Sequence, residues 1–262
     1  MGYSHNHERE TMLKFSLANA KIEALKEVDE LQPYLNLNRK VYSLDLLSGY
    51  SCPYAKACLS KATVDENGKR KIKDGKDNEF RCFSASQEVQ YTNVYNLRKH
   101  NFDLLRQPDT HMDLLLMDSM PKDAGIVRIH VAGDFFNSEY MWAWWLTASE
   151  NPNTLFYAYT KSLSYWLKFR EYTEQLDNFV LTASYGGRND NMIAEHNLRS
   201  AKVVFSEAEA EELGLEIDHD DSHAARPSLK DQDFALLIHG TQPKGSAASQ
   251  ALQQIKKLAA AA

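Results

Sequence analysis

Cys52, Cys58 and Cys82 are the residues best suited to chemistry in this chain of 262 residues, and they are its only three cysteines. Five residues separate the first two, and twenty-three separate the second from the third. A thiolate is a soft ligand that suits an iron–sulfur cluster, zinc or Cu(I). Three thiolates are one short of the four that complete a cubane cluster or a structural zinc site. The fourth position then falls to a histidine, a carboxylate, an exogenous ligand or nothing. The chain has no C-x-x-C pair, so the spacing matches no common zinc pattern. Gly49 and Pro53 let the chain turn sharply around a ligand. We read the three cysteines as ligands of one iron–sulfur cluster. Zinc, a Cys52–Cys58 disulfide, and thiols that merely pack in a core are the competing readings.

A second group of ligand-type residues is His219-Asp220-Asp221-Ser222-His223. Histidine and carboxylate this close together could bind a metal or move protons, with His219 and Asp220 as the acid–base pair. The competing reading is a solvated loop. A fourth cluster ligand could be His130, His219, His223 or His239. His5 and His7 lie close together in a polar N-terminal arm, where a solvated pair is the simpler reading. Gly186-Gly187-Arg188 could hold an anion through backbone amides and the guanidinium. The run 64–79 carries Lys69, Arg70, Lys71 and Lys73 and reads as a solvated hairpin or loop. Tyr140-Met141-Trp142-Ala143-Trp144-Trp145 reads as helix packing in a core. The chain has no P-loop, no dinucleotide-binding glycine motif and no HExxH.

Composition bounds these readings. Hydrophobic residues make up 43% and charged residues 25%, the balance of an ordinary soluble globular protein. A net charge of −6 argues against a broad nucleic-acid surface, though not against a local basic site. Three cysteines, an odd and low count, fit a reducing compartment better than a disulfide scaffold. Residues 1–30 lack the apolar region of a signal peptide, and no apolar run approaches the ~20 residues of a membrane span.

The elements that must position the cysteines follow from periodicity. Residues 11–31 show helical spacing at Ala18, Ile22, Leu25, Val28 and Leu31, which predicts an N-terminal helix ended by Pro33. A first strand over 41–47 leads straight into Cys52 and Cys58. Ser84-Ala85-Ser86-Gln87 has capping-box spacing and opens a helix to about residue 100, so Cys82 sits at a helix N-terminus, where positive backbone charge favours a thiolate or an anionic cluster. Strand-like runs follow at 126–132, 155–160, 179–183, 201–205 and 234–239, with helical patterns between them. Six strands alternating with helices imply a parallel sheet, closed or partly closed as a barrel or else doubly wound. Ligands sit at the carboxyl ends of such strands. Those ends supply Gly133 and Asp134, Lys161, Ser184 and His239 as candidate binding or catalytic residues. Their ordinary alternative is helix capping, most plainly at Ser206-Glu207-Ala208-Glu209. The expected organisation is an arm and helix over 1–40, then a single α/β barrel domain over 41–262 with a cysteine loop over 48–83.

A first strand, a three-cysteine loop and six alternating strands together resemble the radical S-adenosylmethionine (SAM) superfamily. That resemblance implies a parallel (βα)6 partial barrel with a [4Fe-4S] cluster after the first strand and SAM in the fourth iron position. The superfamily's Gly-Gly-Glu motif, which holds the SAM amino group, has Gly133-Asp134 at the equivalent place. Its cysteines lie in a compact C-x-x-x-C-x-x-C, whereas the third cysteine here is displaced to a helix start. A resemblance over almost the whole chain is to the phage "gene product 88" family. It is carried by Ser51-Cys52-Pro53, Phe80-Arg81-Cys82-Phe83-Ser84-Ala85-Ser86, His130-Val131-Ala132-Gly133-Asp134-Phe135-Phe136, Tyr159-Thr160-Lys161-Ser162, Glu195-His196-Asn197-Leu198, Asp218 to Ala224, and His239-Gly240-Thr241-Gln242-Pro243. It implies a viral protein in the cytoplasm of an infected bacterium, acting on an unknown substrate or host protein. The expected function is an iron–sulfur protein with radical-SAM-like or redox chemistry. The alternatives are a non-enzymatic iron–sulfur protein for electron transfer, sensing or host interaction, and a zinc-dependent hydrolase or nucleic-acid modifying enzyme.

Overall fold

The computed structural model describes residues 11–261. The His5 and His7 pair lies outside them. An eight-stranded sheet forms from β1 (Ser16–Leu17), β2 (Lys40–Leu44), β5 (Ala124–Ile129), β6 (Leu155–Thr160), β7 (Phe179–Ser184), β8 (Ser200–Val204), β10 (Phe234–Leu237) and β9 (Glu216–Ile217), side by side in that order. β1 runs antiparallel to β2, and every other pairing is parallel. The remaining strands, β3 (Ser60–Val64) and β4 (Arg70–Asp74), make a separate antiparallel hairpin inside the cysteine loop.

All six strands read from periodicity are present. The parallel strands β2, β5, β6, β7, β8 and β10 lie side by side in chain order, and the two-residue parallel strand β9 lies outside β10. A doubly wound sheet reverses direction at a switch point in its interior, whereas here the order steps back only at the edge, at β9. Among the described residues no pairing joins the outer strands β1 and β9. The fold is therefore α/β with a mostly parallel eight-stranded sheet.

Both faces of the sheet are buried, as the apolar strands require. Leu44, Val127, Ile129, Phe156 and Leu181 face the helices Thr92–Leu105, Met112–Ser119 and Ser138–Glu150 through Phe102, Leu105, Leu116, Met141 and Trp144. On the other face Val41, Ile126, Leu155, Tyr157, Val180 and Phe234 are covered by Ile22, Leu25, Leu31, Ala224 and Ala225. Each large apolar side chain so buried contributes about 1.5–3 kcal/mol. Tyr140, Met141 and Trp144 take the core role expected of their helix.

The single N-terminal helix over 11–31 does not form. Ser16 and Leu17 pair with Ser43 and Tyr42 instead. Asn19 caps a short helix, Ala20–Glu23, and 3-10 turns follow at Ala24–Glu27 and Asp29–Leu31. Val28 is extended between those turns, with φ −89° and ψ 114°, so the helical register is lost. Burial of Ile22, Leu25 and Leu31 on the sheet fixes these turns, overriding their helical spacing. Pro33 opens the short helix Gln32–Leu35 and ends nothing. The helix expected from Ser84 to about residue 100 is two helices, Phe83–Gln90 and Thr92–Leu105, broken at the extended Tyr91.

Candidate functional site

The chain leaves β2 at Leu44 and is stitched at once to the end of β5. The Leu46 amide donates to the Ala132 carbonyl at 2.9 Å, and Asp45 accepts from the Val131 amide at 2.8 Å. A tight turn follows, in which the Ser51 amide and hydroxyl both donate to the Leu47 carbonyl. Gly49 has φ +71°, and a Cβ there would lie 2.5 Å from the Ser60 carbonyl, so glycine is required. The Gly49 amide donates to Cys52 Sγ at 3.3 Å. The loop then crosses to the end of β7. The Lys56 and Ala57 amides both donate to the Gly186 carbonyl, which holds Cys58 there.

Cys82 arrives from the far side of the β3–β4 hairpin. Its amide donates to Ser60 Oγ at 3.2 Å, and the Glu79 and Phe80 amides donate to the Ala57 carbonyl. Gln242, just beyond β10, clamps Arg81 by accepting from its amide and donating to its carbonyl. Cys82, not Ser84, occupies the N-cap of the helix Phe83–Gln90. Glu88, on that helix, is fully buried and accepts from the Ser48 amide at 3.0 Å and the Ser48 hydroxyl at 2.8 Å. Arg98 pairs with Glu88 at 3.3 Å and approaches Asp45 at 3.8 Å. One buried charge network thus joins the end of β2, the end of β5 and the Cys82 helix.

These contacts tie the segments that carry the three thiols to one another. All three cysteines are free and half-buried. Burial pushes the Cys52 thiol well up, and the charges of Asp134, Cys82 and Cys58 push the same way. Burial and the neighbouring Cys58 push Cys82 up to about 11, while the Ser84 and Ala85 amides at the helix start pull it back down. No disulfide joins any two of them. Among the described residues no three His, Cys, Asp or Glu side chains gather as they would around a single metal ion. In a cluster each thiolate takes its own iron, so the sulfurs stand farther apart than around one ion. Three free thiols, one of them at a helix N-terminus, are the type of donor set an iron–sulfur cluster takes.

Asp134 belongs to this group. It is buried and accepts from Thr160 Oγ1 at 2.6 Å, the Phe135 amide at 2.7 Å and the Lys161 amide at 2.9 Å. Burial pushes its pKa up to about 6 against those three donors. Gly133 has φ +101°, and a Cβ there would meet Ser51 Oγ at 2.7 Å and Leu46 Cβ at 2.8 Å. Lys161 donates from Nζ to Ser184 Oγ at 2.5 Å, linking the ends of β6 and β7 beside the loop. His239 is exposed, and its ring centre lies 4.6 Å from that of Phe83, the residue after Cys82.

Other expected residues have different roles. His219 is exposed, and Asp220 accepts from the Ser222 amide at 3.0 Å, closing a turn. No hydrogen bond or ion pair links either to the thiol group among the described residues. The helix Ser222–Ala225 begins after His219, so His219 and His223 are not an i, i+4 helical pair. His223 instead bonds Glu216 at 2.9 Å. The neighbour that does carry charge inward is Asp221, 1% exposed and paired with Arg128, with Lys21 at 2.9 Å and with the Tyr157 hydroxyl at 3.1 Å. The Gly186 and Gly187 amides are both taken by Asp190, each at 2.8 Å, so the protein's own carboxylate fills that anion position. A cavity of about 420 Å³ lies near the start of β7 among Trp166, Phe179, Leu198 and Arg199, at the opposite end of the strands from the thiols.

His130 sits in the aromatic core, bonded to the Tyr140 hydroxyl at 3.1 Å with its ring edge-on to Phe135. Burial, reinforced by Arg128, pushes its pKa down to about 3. The unfolded chain takes up this proton near pH 6.5, and the folded protein does so only near pH 3. Stability is therefore lost as pH falls through that window, at about 1.4 kcal/mol per pH unit. His130→Asn, which tolerates the φ of +69° at this position, is expected to be less stable at pH 7. It should lose about 2 kcal/mol less than the parent between pH 6.5 and 5. Urea midpoints at the two pH values measure this, and equal losses in both proteins would contradict it.

The family model described as Gene product 88 matches residues 11–257. The "Gene 88 protein" of Mycobacterium phage L5 is 27% identical over 143 residues, 51% of each chain. The "Gene 88 protein" of Mycobacterium phage D29 is 27% identical over 123 residues, 43% of each. The chain thus spans about half the length of the curated relatives it matches. No solved structure matches. No described helix is long and apolar enough to cross a membrane. With a model match over residues 11–257, the chain belongs to the Gene product 88 family of phage proteins.

Proposed function

We propose that this chain is a phage iron–sulfur protein that holds one [4Fe-4S] cluster on Cys52, Cys58 and Cys82 at the mouth of a (βα)6 partial barrel. What supports the reading is that all three cysteines are free and that the loop carrying Cys52 and Cys58 is tied to the segment carrying Cys82 through Ser60 Oγ and the Ala57 carbonyl. Six parallel strands side by side in chain order, with only the short β9 stepping back at the edge, support the partial barrel, and the carboxyl ends of its strands are where such a fold binds ligands. Three protein ligands leave one iron position, and SAM or substrate in that position would permit radical-SAM-like catalysis. When bound, a cluster with such a position supplies a single electron to the ligand on it.

Asp134 is the residue proposed to take the ligand's ammonium group. A carboxylate offers about four acceptor sites, and three are used by Thr160, Phe135 and Lys161. One remains, on Oδ2. Lys161 and Ser184, held together beside it, are proposed to face the ligand's carboxylate or hydroxyl groups. Asp134→Ala is expected to weaken SAM binding at least tenfold by calorimetry on anaerobic protein, since a charged hydrogen bond contributes about 1.5–3 kcal/mol. Unchanged binding would remove Asp134 from this role.

A second reading, a non-enzymatic redox or sensing protein, has His239 in its favour. It is the histidine in contact with the segment that follows Cys82, and as fourth ligand it would close the cluster to substrate. The zinc-hydrolase reading has less support, because His219 is exposed and Asp220 is occupied in a turn.

A further inference from the structure

The hairpin between Cys58 and Cys82 carries charge that neither its packing nor the thiol site uses. Ala62 and Ile72 face each other across β3 and β4 on the side packed against the helix Phe83–Gln90. On the outward side Lys61 stands opposite Lys73, and Thr63 opposite Lys71. Like charges placed opposite each other destabilise a strand pair. Neither Lys61 nor Lys73 has an ion pair among the described residues, while Lys71 reaches Asp65 at 3.1 Å. Between Ser48 and Phe83 eight Lys and Arg stand against five Asp and Glu, whereas the whole chain carries −6. The protein is an acidic body with one basic flap.

One exposed aromatic ring stands beside these cations. Tyr50 is 43% exposed, and Lys61 Nζ lies 4.7 Å from its ring centre. On the inward side the Arg70 guanidinium lies 5.2 Å from the ring centre of the half-buried Tyr95, which fastens the hairpin to the helix Thr92–Leu105. Lys71 and Lys73 are two residues apart on one strand face, about 7 Å, close to the step between phosphates of an extended single strand. Cations beside an exposed ring are what a single strand uses, phosphates on the lysines and a base against the ring. A compact acidic protein would meet the charge but has no use for the ring.

We propose that the outward face of β3 and β4 binds single-stranded nucleic acid through Lys61, Lys71 and Lys73, with Tyr50 as a stacking surface. The acidic remainder of the chain confines the footprint to the hairpin. The hairpin ends are tied beside the thiols, through Gly75 to Leu59 and Cys82 to Ser60, so a bound strand lies next to the candidate site. The proposal does not depend on the cluster, and metal-free protein is expected to bind alike.

The test is fluorescence anisotropy of the full chain with labelled oligo(dT) and oligo(U) of about twelve nucleotides. Three phosphate contacts predict a log–log salt slope of about −2, a loss of about 16-fold between about 50 and about 200 mM salt. K61Q/K71Q/K73Q is expected to flatten the slope and weaken low-salt binding at least tenfold, with unchanged circular dichroism. Lys73→Glu alone, at an exposed position, should act in the same direction if the triple variant fails to fold. Absence of binding at about 50 mM salt, or retention of parental affinity and slope by a folded variant, overturns the proposal. So does poly-L-glutamate competing as well as the oligonucleotide, which would assign the face to an acidic protein.

Discussion

Cys58→Ala is expected to purify without the brown colour of its parent, with iron falling from about four per chain to below one. Cys52→Ala and Cys82→Ala should do the same. With three protein thiolates to begin with, removal of one leaves two, which do not retain a cubane cluster. Cys58 tests this best, because its neighbours would keep their places without it. The Lys56 and Ala57 amides still bond to the Gly186 carbonyl, and the Ala57 carbonyl still accepts from Glu79 and Phe80. Loss of iron would then report a lost ligand and not a collapsed loop, and circular dichroism and melting of the metal-free proteins check that separation. Full iron content in any one of the three variants would show that the three-cysteine assignment is wrong.

Glu88→Ala is expected to cost about 3 kcal/mol of stability and to lower iron retention as well. Breaking a buried ion pair by removing one partner leaves the other charge uncompensated in a poor solvent for it, at about 3–5 kcal/mol. Arg98, 3% exposed, keeps its approach to Asp45 and its bonds to Gln87 and Ser84, so the lower end of that range applies. The Ser48 amide and hydroxyl lose their acceptor in the same step. Burial already raises the Glu88 pKa against the pull of Arg98 and Ser48. Glu88→Gln, which can still accept from Ser48, should recover part of the stability. Chemical denaturation of the three proteins at pH 7 gives the comparison, and a cost below about 1 kcal/mol for the alanine variant would mean the network does not hold the loop.

The parallel strands were legible because their apolar runs sit between turn residues and helical patterns at regular intervals, and burial on both faces leaves little else for such segments to do. The N-terminal segment was not. Ala18, Ile22, Leu25, Val28 and Leu31 have helical spacing, yet they cover the sheet from a strand and short turns, because tertiary burial outweighs a weak local preference. The cysteines stood out by residue type and by position after the first strand, but the contacts that seat them did not. Glu88 holds Ser48 from 40 residues away, and Gln242 holds Arg81 from 161 residues away. A buried glutamate in a polar helix sequence gives no sign of the partner it will meet. His219 and Asp220 drew notice as ligand types, although Asp-x-Ser is also a turn signature, and the turn is what forms. The inward charge fell one residue later, on Asp221.

The most direct test of the central claim is anaerobic purification of the full chain, followed by iron, sulfide and zinc analysis and EPR of the dithionite-reduced protein. The account predicts about four irons and four sulfides per chain, with a reduced-cluster signal that vanishes in Cys58→Ala. Zinc in place of iron, or a metal-free protein after reconstitution with iron and sulfide, would contradict it.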